Sequence, residues 1–274
     1  MLRVGIVQLN TGNEVNAAID NVEPLIREAA KDGAQLITTP ETTHLMEMDR
    51  RAVLEKASFE CDDQGLRRFR SLARELGIWL HIGSLIIKVA DDKLANRAFV
   101  ISAEGEICAR YDKLHLFDID LPNGESYRES RLYVPGKDAV LVESPWGKIG
   151  LSICYDLRFP HLYRTLAEDG ASIIMVPAAF TVKTGEAHWH TLLKARAIET
   201  GCFILAAAQT GEHATGRSTY GHSLAVNPWG TVIADAKTRP GITLVDLDLA
   251  KVAETRLTMP SLKHNRPFGV RQFD

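Results

Sequence analysis

Cys154 in "GKIGLSICYDLRFP", Glu41 in "QLITTPETT" and Lys113 in "EICARYDKLHLF" each follow directly on an apolar run. A thiol of pKa ~8.5 is only a few per cent thiolate at neutral pH, so as a nucleophile it needs a base. A carboxylate held in a dry pocket has its pKa raised toward that task, which makes Glu41 the candidate base. Attack on an amide carbon builds negative charge on oxygen, and a fixed ammonium and a backbone N–H stabilise it by roughly 3 kcal/mol per good donor. Lys113 and the N–H of Tyr155 are the candidates for those donors. Taken singly the three residues say little: a free cysteine usually packs in a core, an acid after a strand usually caps a helix, and a lysine is usually solvated. The chemistry exists only if the fold brings them together.

The elements must therefore deliver three strand ends to one place. "LRVGIVQL" reads as a strand, residues 16–31 as a helix stopped by Gly33, and "QLITTP" as a strand again. The same strand, helix, strand unit recurs as "GKIGLSIC", a helix over 160–168 ended by Gly170, and "SIIMVP". Between the units lie a helix over 64–76, a strand "IWLHIGSLII", and a hairpin turning at Glu104 and Gly105. After them come a helix "HWHTLLKARAIETG", a strand "CFILAAAQ", a hairpin "SLAVNPWGTVIAD" turning near 228–230, and a strand "TLVDLDL". No linker divides the chain. The pattern predicts an α/β fold in one domain over residues 1–274, with either one mixed sheet or two stacked sheets between helix layers. In such folds ligands gather beyond the carboxyl ends of strands, where Glu41, Lys113 and Cys154 lie.

Composition narrows the partners. Hydrophobic residues at 45% and charged residues at 24% are those of an ordinary soluble domain. A net charge of -3 with both signs well mixed offers no basic face, so nucleic acid is excluded as a partner and a small molecule is expected. No run approaches the ~20 apolar residues of a membrane span and no secretory signal is present, so no membrane partner is expected and the cytoplasm is the expected location. Cys61, Cys108, Cys154 and Cys202 read as free thiols, and no CxxC suggests a metal.

"TTPETT" around Glu41, "RYDKLHLFD" around Lys113 and "GKIGLSICYDLRFP" around Cys154, in that order and spacing, resemble the Glu-Lys-Cys signature of the nitrilase superfamily, the carbon-nitrogen hydrolases. The likeness extends from "VGIVQLN" through "ARAIETGCFILAAAQ" and "YGHSLAVNPWGTVIAD" to "RPFG". It implies a nitrilase-type α-β-β-α sandwich, two mixed sheets flanked by helices, and assembly as a homodimer or larger homo-oligomer. It also implies a second glutamate between the lysine and the cysteine, which "YRESRLYVPG" places at Glu129, positioning the lysine and the substrate. The implied reaction needs no metal or organic cofactor. Glu41 takes the thiol proton, a thioester forms on Cys154, ammonia leaves, and water completes the hydrolysis.

Cys154-Tyr155-Asp156 departs from the Cys-Trp-Glu of true nitrilases, which favours an amidase, and "CYDLRFP" resembles the Nit and ω-amidase branch. Substrates there are amides bearing a carboxylate, for which the planar fork of Arg158 is the expected anchor, with Tyr155 beside it. "DLPNGESYRES", "GEAHWHTLLKARAIETGCF" and "RSTYGHSLAVNPWGTV" resemble members that act on deaminated glutathione, with 2-oxoglutaramate and 2-oxosuccinamate as the alternative substrates. Thr42, Thr43 and "HLMEM" depart from the small residue and Phe usual after the glutamate, a change that bears on the substrate pocket.

Other readings are weaker. His188 and His190 of "HWH" diverge if they begin a helix, which disfavours a zinc pair. Cys154 with His222 lacks the local signatures of a papain-like dyad. "VPGKDAV" lacks the upstream glycine and the Ser/Thr of a P-loop. A non-catalytic binding protein of the same fold, or another aliphatic amidase, remains as an alternative. "HLMEM" and "SPWG" read as packing, and "RRFRSLAR" as the solvated face of a helix.

Overall fold

The computed structural model describes residues 1–120, 124 and 126–273. Leu121, Pro122, Asn123 and Glu125 of "DLPNGESYRES" lie outside the described residues. Helix α1 (Val15–Lys31) buries Ala18, Ile19, Val22, Ile26 and Ala29, one stripe at helical spacing. Helix α2 (Arg50–Lys56) is short, and helix α3 (Gln64–Leu76) begins where the Asp63 side chain accepts the Leu66 N–H at 2.7 Å. It ends at Gly77, whose φ of 64° closes the last turn in the left-handed region. Beyond the sequence expectation stand α2, the last helix and the strand Leu141–Ser144.

The first sheet contains strands β1 (Leu2–Gln8), β2 (Leu36–Thr38), β3 (Trp79–Ala90), β4 (Lys93–Ile101) and β5 (Ile107–Asp112). The second contains β6 (Leu141–Ser144), β7 (Gly147–Leu151), β8 (Ala171–Met175), β9 (Phe203–Ala206), β10 (Leu224–Val226) and β11 (Val232–Asp235). Strand β12 (Gly241–Leu247) leaves the second sheet behind and pairs antiparallel with β1, so the first sheet runs β12-β1-β2-β3-β4-β5, with Ser58–Phe59 alongside β3. The second runs β11-β10-β9-β8-β7-β6, and β7, β8 and β9 are parallel.

Alternation along the strands separates the layers. Val4, Ile6, Leu36, Ala98 and Val100 face the second sheet and pack with Ile149, Leu151, Ile173 and Met175. Val7, Ile37, Leu80, Phe99 and Ile101 face the other way, against α1 and α3. Helices α4 (Pro160–Glu168) and α5 (His190–Thr200) cover the outer face of the second sheet through Leu162, Leu166, Leu193 and Ala197, and α6 (Ala250–Thr258) follows β12. Of the two arrangements open at the sequence level, the stacked pair of sheets between helix layers is the one formed. "HWHTLLKARAIETG" is helical from His190, but Gly185–Trp189 before it is a wider π turn, which sends His188 toward Arg158 and His190 toward Asp235. "RRFRSLAR" is only half solvated: Phe69, Leu72 and Ala73 are buried, while Arg68 pairs with Asp20 and Glu23 of α1.

Candidate active site

Both sheets end at the same edge of the sandwich, and the chain turns there in tight, specified ways. After β2, the Thr39–Pro40 backbone crosses β3 at Gly83, where a Cβ would stand 2.1 Å from the Thr39 carbonyl oxygen. Only glycine admits that approach. Thr42 then takes φ 54°, held by its N–H to Ser84 Oγ at 2.8 Å. Lys113 follows β5, its N–H bonded to the Asn96 carbonyl at 3.0 Å. Cys154 follows β7 at φ 50°, in a region that costs a non-glycine residue of order 1–3 kcal/mol, and donates its N–H to the Pro177 carbonyl at 2.8 Å.

Buried Asp156 fixes this turn. Its carboxylate accepts the Ile153 N–H at 2.8 Å, the Tyr111 hydroxyl at 2.7 Å and the His115 N–H at 3.0 Å. One side chain thus ties the Cys154 turn to both flanks of Lys113. The 3₁₀ turn Cys154–Arg158 starts at the thiol, and the first N–H groups of such a turn, Tyr155 among them, have no partner within it.

The structure brings Glu41, Lys113, Glu129 and Cys154 together. Lys113 Nζ lies 2.9 Å from Glu41 Oε1 and 2.9 Å from Glu129 Oε2, and both Glu41 and Lys113 are buried. Glu129 also accepts the Phe117 N–H at 2.6 Å. The Cys154 thiol lies close enough to feel the Glu41 charge, and Glu41 Oε2 accepts the Ala179 N–H at 2.9 Å.

Sequence reasoning missed two members of this group. Asn96 donates to Glu41 Oε1 at 2.9 Å and to Glu129 Oε1 at 3.3 Å. Gln209 donates to the Glu41 carbonyl at 2.9 Å. The signal for Asn96 was an amide inside the apolar strand "LANRAFVI".

The electrostatics correct one expectation. Burial pushes Glu41 up, but the Lys113 ammonium and its hydrogen bond, the nearby Cys154 thiol, and Arg217 outweigh it and hold the carboxyl below the ordinary range. The sequence-based expectation of a raised carboxylate counted only the desolvation. Burial, reinforced by the Glu41 charge, pushes the Cys154 thiol well above its ordinary value. Lys113 sits well above its own: burial opposes its charge, but Glu129 and Glu41 prevail. The resting site is a neutral thiol beside a carboxylate and an ammonium.

These groups open on a cavity of about 580 Å³. Tyr155, Arg158 and Phe180 form part of its wall, with the Arg158 guanidinium 5.9 Å from the Tyr155 ring and 5.5 Å from the Phe180 ring. Leu45 and Met46 of "HLMEM" are buried and also line it, as does Thr42, so that departure from the family pattern does face the pocket. Thr43 instead packs behind, bonded to Thr39. His222 is not in the cavity wall; with His190 and Asp235 it forms a three-residue group whose ligand atoms lie within 4.8 Å of one another. There Lys237 Nζ already sits 2.6 Å from Asp235 Oδ2, so the ammonium neutralises the acid a metal would use.

A four-layer sandwich with a buried thiol, carboxylate and ammonium at one sheet edge defines an enzyme that hydrolyses amides. The chain belongs to the carbon-nitrogen hydrolase family, whose pattern it matches over residues 3–257. It is 39% identical over 266 residues to the deaminated glutathione amidase of Yersinia enterocolitica, covering 96% of this chain and 92% of that one. It is 38% identical over 269 residues to the deaminated glutathione amidase of Homo sapiens, covering 96% and 82%. Among solved structures it is similar to the NitFhit protein of C. elegans, with a TM-score of 0.91 and 35% identity over 97% of this chain and 65% of that one. No described helix is long and apolar enough to cross a membrane.

Proposed function

We propose that the protein hydrolyses deaminated glutathione through a thioester on Cys154. The observation that carries this is the buried Cys154, Glu41 and Lys113, with Glu129 beside them, opening on a cavity whose wall includes Arg158 and Arg217, neither of which has a carboxylate partner among the described residues. The name shared by the bacterial and human relatives supports the choice of substrate.

Because the thiol holds its proton at rest, transfer to Glu41 accompanies attack on the amide carbon rather than preceding it. Two Lys113 protons are committed to Glu41 and Glu129, which leaves the third for the developing oxyanion beside the Tyr155 N–H. Glu41 then gives its proton to the leaving nitrogen as the C–N bond breaks and the thioester forms. Acting as base again, it takes a proton from the water that attacks the thioester, and the thiol regains a proton as it leaves. With deaminated glutathione the leaving group is the amine of cysteinylglycine; with the primary amide 2-oxoglutaramate it is ammonia. Both leave 2-oxoglutarate, whose carboxylate suits Arg158. The cavity volume falls in the range that encloses ligands of this size.

Release of 2-oxoglutarate from the two compounds tests the reading. We expect a higher kcat/KM for deaminated glutathione and a fall of about 10⁴-fold or more in Cys154→Ala. Turnover of 2-oxoglutaramate alone, or an acyl adduct on another residue by mass spectrometry, overturns it.

The reading includes a homo-oligomer and a cytoplasmic location. Ile198 and Trp229, 56% and 58% exposed, supply apolar surface on one side of the second sheet, and the free exposed thiols Cys61 and Cys108 suit a reducing compartment.

A further inference from the structure

Arg217 is a charged group in the wall of this cavity that the reaction leaves unused. It stands at the end of the turn between the short strands Thr210–Glu212 and Ser218–Tyr220, whose closure is set by the His213 N–H donating to the Arg217 carbonyl at 2.8 Å. Beneath that turn the His213 ring is buried and bonded to the Thr11 carbonyl and the Thr219 hydroxyl, so the turn is anchored. The Arg217 guanidinium lies 5.7 Å from the Tyr127 ring centroid and donates from Nη2 to the Ala179 carbonyl at 2.6 Å. Its Nε is buried and has no partner, and no carboxylate reaches the guanidinium within ion-pair distance, among the described residues. A buried guanidinium donor without an acceptor is costly and uncommon. In a cavity wall, it is the arrangement expected where a ligand brings the acceptor.

Its position says which part of the ligand. Ala179 presents its carbonyl to Arg217 and its N–H to Glu41 Oε2, so a single residue separates the guanidinium from the carboxylate assigned to protonate the leaving nitrogen. Arg158, by contrast, belongs to the turn that begins at Cys154, beside the sulfur that keeps the acyl group. The two arginines therefore hold different parts of the wall, Arg158 against the Tyr155 and Phe180 rings and Arg217 against the Tyr127 ring and the Ala179 carbonyl.

We propose that Arg217 binds a carboxylate carried by the leaving amine, so that the site selects amides with a carboxylate on both sides of the C–N bond. This rests on the amidase reading and extends it to the leaving group. It adds a second anion site to the one expected at Arg158 and explains why so polar a residue faces the cavity without an acid of its own.

The test separates the two readings. Turnover is compared for deaminated glutathione, whose leaving group ends in a carboxylate, and for 2-oxoglutaramate, whose leaving group is ammonia. In Arg217→Met both rates shift through the proximity to Glu41, and the ratio of the two kcat/KM values isolates the carboxylate. We expect that ratio to fall about 10- to 100-fold, mostly through KM for the larger substrate, with partial recovery in Arg217→Lys. In Arg158→Met the ratio should change far less, because both substrates share the acyl half.

Calorimetry on the Cys154→Ala protein gives an answer that does not depend on turnover. N-succinylglycine carries a carboxylate on each side of its amide and succinamate only on the acyl side, and Arg217→Met should weaken the first about tenfold or more relative to the second. Parallel loss for both probes, or equal binding with and without Arg217, overturns the proposal even if the enzyme proves to be an amidase. Absence of any turnover with the expected calorimetric ratio intact overturns the amidase reading instead.

Discussion

Asn96 shows how the reacting carboxylate is kept ionised. Its amide donates to both Glu41 and Glu129 from the middle of β4, and Glu41 itself is buried. Asn96→Ala should lower kcat/KM by about 10- to 100-fold and move the acidic limb of the pH profile upward, because a carboxylate that loses a donor protonates more easily. A fall in rate with an unmoved limb would assign Asn96 to packing alone. On the proposed mechanism Glu41 is the ionised base, and because its pKa is depressed, activity should be lost only as pH falls below the ordinary carboxylate range. We expect kcat/KM to stay level from about pH 8 to about pH 5; a limb near neutrality would contradict the assignment. Glu41, Lys113 and Cys154 were legible because each follows an apolar run with a reactive group. Ala179 and Arg217 were not: Ala179 acts through its backbone, which no side chain advertises, and Arg217 sits in a polar turn where a charge is ordinary.

At the level of elements, period-2 and period-3.6 patterns located most strands and helices because each has one face in a core and one outside it. Pairing across the sandwich was hidden, since "TLVDLDL" reads the same whether it extends the second sheet or returns to the first. β3 carries a further consequence of burial. His81 is buried in that central strand, bonded through Nδ1 to the Thr38 hydroxyl at 2.8 Å, and burial lowers its pKa to about 3. Unfolding exposes a histidine that titrates at its ordinary value, so the unfolded state binds the proton that the folded state refuses. This contribution is complete above about pH 6.5 and is lost as pH falls toward 3, at up to ~1.4 kcal/mol per pH unit. In urea titrations, His81→Gln should show a flatter stability profile than the wild type between those pH values. Identical slopes would mean that His81 is protonated in the fold.

For the whole molecule, the exposed pair Ile198 and Trp229 makes a direct test of assembly. The turn that carries Trp229 rests against Ile198, since a Cβ at the next residue, Gly230, would stand 2.5 Å from the Ile198 side chain. Light scattering should find a dimer or larger species in the wild type, and Trp229→Asp should shift it toward monomer with the fold retained. A wild-type monomer would remove the oligomer from the functional reading.

The return of β12 to β1 also sets an order of events during synthesis. Arg3 pairs with Asp246 at a separation of 243 residues, so the first strand made waits for nearly the last before its edge is closed. At ribosomal rates of 5–20 residues per second that wait is roughly 12 to 50 s. Throughout it, β1 is an unpaired apolar edge, and the first sheet bearing Glu41 and Lys113 is unfinished while Cys154 has already emerged. A nascent chain stalled before residue 241 should therefore bind chaperones, whereas the released chain should not.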